Sequence, residues 1–502
     1  MRKALRAENL QDRTVAREDR VSAELLLPSI PVRPADLADA TWPDIAPHYE
    51  ALAEAPLALE EVPAWLAAWS ALDTVVDEAA ALAYMRYTAN TADRDAEARN
   101  LRFSMEILPE VERWQVKLAA RLVASGYESD DLAMTIREFR SDIEIFRDEN
   151  VPLVAQLEEL GSAYQKAVGT MTVLWDGERK TIQQLQPYLQ VVDRDVRERA
   201  WRRSAEPYVA AREELASIFD RMVELRTSVA RNAGFPDYQA YAFRELHRFD
   251  YTPEDCVRFH DAVAATVVPA VERMHASRRE RLGVATLRPW DLGVDPQHRP
   301  PLQPFGDVRE FVAGGERIFR AVDAELGDQF ALMASEGLLD LENREGKAPG
   351  GYCLSLHWRG RPFVHMNAVG IPDDVSTLIH EAGHCFHTFA AAPLPLIWQR
   401  GTGMEAAELA SMSMELLAAP HLVLPTGFYA PEDARRARIE HLQDVLASLA
   451  HIAGVDAFQR WIYTSGEGHD RDARDAAWLR IRSALERGVD WGGLDPERIA
   501  RW

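Results

Sequence analysis

Apolar residues recur at every third or fourth position through most of the chain, in long stretches rich in Ala, Leu, Glu and Arg. This spacing places the apolar side chains on one helix face and leaves the charged side chains on the opposite, solvated face. The pattern predicts a mostly α-helical protein. The clearest predicted helices cover residues 64–87, 96–124, 152–168, 195–232 and 253–282.

Two short segments have the signals of β-hairpins. The first pairs residues 171–175 with 178–182 around Asp176-Gly177, a dipeptide that favours tight turns. The second pairs residues 351–358 with 362–368 and directly precedes the strongest chemical motif. We therefore expect a small β region beside the functional site. It either offers an edge to an extended peptide or packs on helices as an ordinary hairpin.

The chain length of 502 residues suggests two or three packing units. Five prolines in residues 288–306 forbid a regular helix there, so this segment is predicted to be a linker between lobes or a long surface loop. We place a provisional boundary after the first hairpin. It separates an N-terminal helical lobe at 1–190 from a catalytic domain at 191–502.

The charge balance narrows the possible partners. The chain has 57 Lys and Arg against 80 Asp and Glu, a formal net charge of −23. Nucleic acids and anionic membranes bind to dense basic patches, so neither is expected to bind this acidic chain. The sequence has no apolar run long enough for a bilayer, no signal peptide and three widely spaced cysteines. These features predict a cytoplasmic protein.

One short motif has the His-Glu-x-x-His pattern, formed by His380, Glu381 and His384. Pro372 supplies a helix start signal and Pro393 a stop signal, so the motif is predicted to be helical. Positions four apart lie on one helix face. Both imidazoles can therefore bind one metal ion while the glutamate projects beside them.

A catalytic zinc usually takes three protein ligands and keeps a further position for water. The metzincin pattern would place a histidine at position 390, which is Ala390 here. A second predicted helix at 404–417 carries Glu405, Glu408 and Glu415. A glutamate on a helix packed across the first would complete the site, and spacing alone leaves all three open.

Together the two motifs resemble a known family. HEAGHCFH at 380–387 followed by GMEAAELASMSMELL at 403–417 is similar to the thimet oligopeptidase and oligoendopeptidase F family of zinc metallopeptidases. The resemblance to an oligoendopeptidase F-like branch runs from about residue 40 to about residue 490. It includes FRDENVPL at 146–153, ARNAGF at 230–235, RFDYTPEDC at 248–256 and KAPGGYC at 347–353.

The resemblance implies a large, two-lobed, mostly helical zincin-type fold with a deep substrate channel, and activity on short peptides. At matching positions His380, His384 and Glu408 become the ligands of one Zn²⁺ per chain, and Glu381 becomes the general base. Glu415 is then expected to hydrogen-bond a ligand histidine. The remaining neighbours of the motifs have plainer expected roles: His387 packs near the site, Glu405 is a solvated acid, and Cys385 is a packed, oxidant-sensitive thiol.

The sequence departs from the family pattern in one segment. Family members carry tyrosines there that donate to the developing oxyanion, whereas residues 449–458 contain none. His451 is the candidate donor, and a helix histidine without a role is the alternative. Tyr463 and His469 lie just beyond, and core or loop positions are expected for both.

The sequence therefore predicts a zinc endopeptidase that cleaves short oligopeptides without a covalent enzyme intermediate. A zinc carboxypeptidase and a peptide-binding homologue with reduced turnover remain open, the second because of the tyrosine-free segment. Short peptides are the expected partners, and the oligomeric state is left undetermined.

Overall fold

The computed structural model describes residues 33–500, most of which are helical. The first 32 residues of the predicted N-terminal lobe therefore lie outside the described residues. The helices are α1 (Trp42–Glu54), α2 (Val62–Ala89), α3 (Arg94–Arg102), α4 (Leu108–Ala124), α5 (Ala133–Ile145), α6 (Val151–Gly169), α7 (Arg194–Ala210), α8 (Arg212–Asn232), α9 (Tyr238–Glu245), α10 (Pro253–Ala262), α11 (Val268–Leu282), α12 (Val308–Val322), α13 (Ala324–Ser335), α14 (Pro372–Ala391), α15 (Met404–Ala418), α16 (Pro431–Thr464), α17 (Arg471–Leu485) and α18 (Asp495–Ile499).

The predicted helices are present, and three of them are interrupted. π-turns at Phe103–Ile107 and Val263–Val267 join α3 to α4 and α10 to α11. Each π-turn lies just before a proline, Pro109 or Pro269, whose ring clashes with the carbonyl four residues earlier and widens the turn. The single helix predicted at 195–232 ends and restarts at Ala211, where ψ is 2°.

Both predicted hairpins are confirmed. Strands β1 (Thr172–Trp175) and β2 (Glu178–Thr181) pair antiparallel. Asp176 and Gly177 between them have positive φ angles of 50° and 88°, the left-handed backbone that a two-residue turn requires. In the second hairpin, β4 (Tyr352–Leu356) pairs antiparallel with β5 (Arg361–Ala368).

The second hairpin belongs to a larger sheet than the sequence predicted. Strand β3 (Leu339–Glu342) pairs parallel with β5, giving the order β3-β5-β4. The central strand β5 is buried along most of its length, as expected for a strand with neighbours on both sides. Helix α14 packs against this sheet and follows β5 directly.

Two large apolar clusters form the core. One joins α1, α2, α4 and α5, with Trp65 and Trp69 fully buried at its centre. The other joins the sheet to α12, α13, α14 and α15. The predicted two-lobed helical body is confirmed, whereas the boundary near residue 190 stays a prediction.

Helix α2 of the first cluster also supports the sheet of the second. Glu78 is fully buried, and its carboxylate pairs with Arg359 in the β4–β5 turn at 2.7 Å. Thr88 hydrogen-bonds the Tyr352 hydroxyl at 2.6 Å, and its carbonyl accepts a 2.8 Å bond from the Ala348 N–H. The N-terminal lobe therefore fixes both ends of β4.

The proline-rich segment at 288–306 has no helix beyond the 3-10 turn Pro289–Asp291, as predicted. It is not a loose surface loop, because its acids are buried against arginines of two helices. Asp291 pairs with Arg197 at 2.9 Å, and Asp295 pairs with Arg436 at 2.9 Å. None of the described helices is long and apolar enough to cross a membrane.

Candidate metal centre and active site

Helix α14 carries both motif histidines and begins at a well-defined turn. Pro372 occupies its first position, and the Asp374 carboxylate accepts hydrogen bonds of 2.8, 2.7 and 2.9 Å from the N–H groups of residues 369–371. Burial raises the pKa of Asp374 to about 6, although the three N–H donors act in the opposite direction. These bonds fix how α14 leaves β5 and therefore where its histidines lie.

Two imidazoles and one carboxylate converge between α14 and α15. The rings of His380 and His384 have centroids 5.0 Å apart. Glu408 Oε2 lies 3.2 Å from His380 Nε2, and Glu408 Oε1 lies 3.7 Å from His384 Nε2. One ligand atom from each residue lies within 4.8 Å of the other two. Such spacing fits a divalent ion with ligands at about 2.0–2.2 Å.

A close helix crossing brings the carboxylate to the histidines. A Cβ built on Gly383 would lie only 2.6 Å from Ser411 Cα and 2.8 Å from the Ala410 carbonyl oxygen. Glycine therefore permits a backbone contact that a side chain would block. Ser411 is fully buried at this crossing and donates a 3.0 Å hydrogen bond to Glu408 Oε2.

A second carboxylate lies behind the first histidine. Glu415 Oε1 lies 2.8 Å from His380 Nδ1, and Glu415 Oε2 lies 2.5 Å from His441 Nε2 of α16. Burial works to raise the pKa of Glu415, but hydrogen bonds from the two histidines outweigh it and lower this pKa to about 2. The sequence predicted a bond from Glu415 to a ligand histidine, and the structure identifies this histidine as His380. The sequence missed His441, a single histidine in a charged helix with no motif around it.

Glu381 lies beside this cluster and is 7% exposed. Its Oε2 atom accepts no hydrogen bond from any residue of the described chain. Burial raises the pKa of Glu381 to about 7, with His380 lowering it and Glu408 raising it further. At Gly351 a Cβ would lie 3.3 Å from Glu381 Oε1, so the backbone before β4 passes close to this carboxylate.

The structure separates Glu405 from the metal-type cluster. Glu405 lies one turn of α15 before Glu408. Its carboxylate pairs with Arg248 at 3.0 Å and accepts a hydrogen bond from the Tyr251 hydroxyl. His387 is partly buried on α14 and is also outside the cluster. Of the three glutamates left open by spacing, Glu408 is the one placed against both histidines.

His451 is not brought to the cluster by any contact among the described residues. It lies on α16 ten residues beyond His441, about 15 Å along the helix. His451 is an exposed residue of α16, and its carbonyl accepts a 3.3 Å bond from Arg482 of α17. Tyr463 has a core position bonded to Arg226 at 2.8 Å, and His469 is exposed, as expected.

Two family models match the chain. Residues 38–136 match the Peptidase M3 N-terminal domain. Residues 188–487, more than half of the chain, match Peptidase family M3 and contain every residue of the cluster. The chain belongs to peptidase family M3.

Solved structures resemble this M3 peptidase over most of its length. PZ peptidase A with inhibitor 2 is 26% identical, with a TM-score of 0.86 over 94% of this chain and 83% of that chain. A structure named for oligoendopeptidase F is 26% identical, with a TM-score of 0.85 over 95% and 82%. A third, named for oligoendopeptidase F from Bacillus anthracis, is 24% identical, with a TM-score of 0.83 over 91% and 84%, and supports the fold alone.

No curated protein matches the chain. Family and fold nevertheless agree with the peptidase predicted from the sequence. The M3 peptidase is a metallo-endopeptidase, and its substrates are peptides.

Proposed function

We propose that this M3 peptidase is a zinc-dependent endopeptidase that hydrolyses short oligopeptides, with Glu381 as the general base. The observation that carries the proposal is the convergence of His380, His384 and Glu408 within 4.8 Å of one another. Two nitrogen donors and one oxygen donor suit zinc, and three protein ligands leave room for a reacting group.

Bound by these three residues, one zinc ion per chain would supply a Lewis acid that polarises the scissile carbonyl and acidifies a water molecule. The chain's own groups then handle the proton. Glu381, whose Oε2 has no hydrogen-bond partner in the described part of the chain, is suited to take a proton from water and return it to the leaving amine. No side chain need form a covalent bond to the substrate.

Glu415 supports the ligand set by orienting His380. Its carboxylate accepts the Nδ1 proton of that imidazole, which leaves Nε2 free to face the metal. The bond to His441 on the other oxygen restrains Glu415 in turn. A chain of three side chains therefore holds one ligand in a single tautomer.

The substrate would bind along β4. In the described part of the chain β4 is an edge strand, and its first residue follows Gly351, which lies against Glu381. An extended peptide added to this edge would pass beside the general base. The limit to short peptides comes from the family resemblance.

Glu381→Gln tests the mechanism. We expect this variant to keep stoichiometric zinc. Its rate of cleavage of a quenched fluorescent peptide should fall by roughly 10²–10⁴-fold, the contribution of a general base. Glu405→Gln is the matched control because it removes a charge near the site without touching the cluster. Full activity of Glu381→Gln would refute the mechanism.

Two further measurements complete this test. Glu408→Ala should lose zinc on dialysis and Glu405→Ala should retain it; the reverse would overturn the ligand assignment. Product mapping by mass spectrometry should find internal cleavage, whereas release of single C-terminal residues would identify a carboxypeptidase.

A further inference from the structure

Two thiols face each other where β4 packs on α14. Cys353 Sγ lies 3.4 Å from Cys385 Sγ. Cys353 is partly exposed, whereas Cys385 is fully buried. The third cysteine, Cys256, lies on α10. Peptide hydrolysis by the route above uses none of these thiols, so their pairing needs another explanation.

A neighbouring contact fixes the orientation of the two surfaces. Ser355, two residues after Cys353, hydrogen-bonds Thr388, three residues after Cys385, with 3.0 Å between the hydroxyl oxygens. Alternate strand residues share a face, and so do helix positions three apart, so both pairs belong to one strand–helix contact. A disulfide has its sulfur atoms about 2.05 Å apart, so the thiols need to approach by only about 1.4 Å.

We propose that Cys353 and Cys385 form a modification site, a thiol pair that a small hydroperoxide oxidises to an intramolecular disulfide that reversibly lowers peptidase activity. The hydroperoxide transfers one oxygen atom to the Cys353 thiol, which becomes a sulfenic acid, and its other oxygen leaves as an alcohol or water. The Cys385 sulfur then attacks the Cys353 sulfur. The S–S bond forms, the S–O bond breaks, and water leaves with the Cys385 proton, so two thiols supply two electrons.

The different exposure of the thiols assigns their roles. An oxidant reaches the partly exposed Cys353 first, because Cys385 has no exposed surface. The buried thiol is already in contact and captures the sulfenic acid before further oxidation. Thiol–disulfide exchange with dithiothreitol reverses the reaction.

The position of the pair connects it to the active site. Cys385 follows His384 directly, and Cys353 lies two residues after Gly351, whose backbone passes close to Glu381. Drawing β4 toward α14 therefore shifts the Gly351 backbone, at the strand edge where we place the substrate, relative to Glu381 and His384 on the helix. A displacement of about 1 Å can cost about 10²-fold in rate, so we expect a 10- to 100-fold loss of kcat/KM. This effect on activity rests on the proposed function, whereas disulfide formation does not.

The test uses the full-length Cys256→Ser protein, in which the pair supplies the only two thiols. It is treated with hydrogen peroxide, alkylated and digested, and peptides, zinc content and cleavage rate are measured before and after dithiothreitol. We expect loss of both thiols, a cross-linked peptide joining Cys353 to Cys385, and a tenfold or greater loss of cleavage. Dithiothreitol should restore both the thiols and the rate.

The matched control is Cys353→Ser in the same background, which leaves the buried Cys385 in the core. It should keep its own untreated cleavage rate through peroxide treatment, because it cannot form the disulfide. Sulfinic or sulfonic acid on Cys353 without the cross-link, or two surviving thiols, would refute the proposal that Cys353 and Cys385 form a disulfide. A complete disulfide with unchanged cleavage would refute the effect on activity. A parent protein without peptidase activity would refute the proposed function while the peptide map still decides the disulfide.

Discussion

Replacing Gly383 by alanine tests whether the close crossing of α14 and α15 assembles the metal ligands. The added Cβ would lie 2.6 Å from Ser411 Cα and 2.8 Å from the Ala410 carbonyl oxygen. Both are backbone atoms, so rotation of a side chain cannot relieve the overlap. Restoring ordinary contact requires the helices to separate by about 1 Å, and such overpacking costs about 1–3 kcal/mol.

The separation acts on the metal site through Ser411, which bonds Glu408 Oε2 at 3.0 Å. Metal–ligand distances tolerate about 0.2 Å, much less than the expected shift. We therefore expect Gly383→Ala to weaken zinc binding at least about tenfold, with a matching loss of peptidase activity. Competition with a chelating dye measures the affinity, and circular dichroism of the metal-free protein measures the thermal midpoint.

Gly161→Ala in α6 is the matched control. No heavy atom lies within 4 Å of a Cβ there, so the same substitution meets open space. It should leave zinc affinity unchanged and raise stability by about 0.4–1 kcal/mol, because alanine restricts the unfolded chain. A Gly383→Ala protein with the parent's zinc affinity and thermal midpoint would refute the account of how the site is assembled.

Three further substitutions test other parts of the molecule. His441→Gln removes one partner of Glu415 and should weaken zinc binding about 10- to 100-fold. Unchanged zinc affinity in the dye competition would show that the bond to His380 alone holds Glu415 in place. Burial, aided by Lys347, lowers the pKa of His365 to about 4, below the unfolded value of about 6.5. The stability that depends on neutral His365 is therefore complete above about pH 6.5 and falls by up to about 3 kcal/mol as the pH drops through 4. His365→Phe, in which Asn367 still bonds the Ala348 carbonyl, should show a weaker fall in thermal midpoint from pH 7 to 4, and an identical fall would contradict this. If His451 donates to the oxyanion, His451→Ala should lower kcat about 10²–10³-fold with little change in KM, and an unchanged kcat would remove it from the site.

Elements whose signals lie within a few residues could be predicted from the sequence. The turn Asp176-Gly177 identified the first hairpin, and proline signals on both sides identified the helix that carries the histidines. The two π-turns could also have been predicted from the sequence, because each ends two residues before a proline, Pro109 or Pro269. Strand β3 was missed because its four residues gain a partner only through parallel pairing with a distant strand.

The candidate site divides in the same way. The two histidines and Glu381 share a motif, and the helix spacing limited the third ligand to three glutamates. Spacing could not choose among them, because the choice depends on how α15 crosses α14 at Gly383. His441 reaches Glu415 from a different helix, and no local pattern specifies such a contact.

The support that α2 gives to the sheet bears on the order in which the protein is synthesised. Glu78 and Thr88 precede their partners Arg359 and Tyr352 by more than 260 positions, so they leave the ribosome long before the strand they hold. The early lobe therefore contains a carboxylate and a hydroxyl whose partners are synthesised later. A fragment beginning after residue 190 would lack both, and its β4 would form without the anchors that position it beside Glu381.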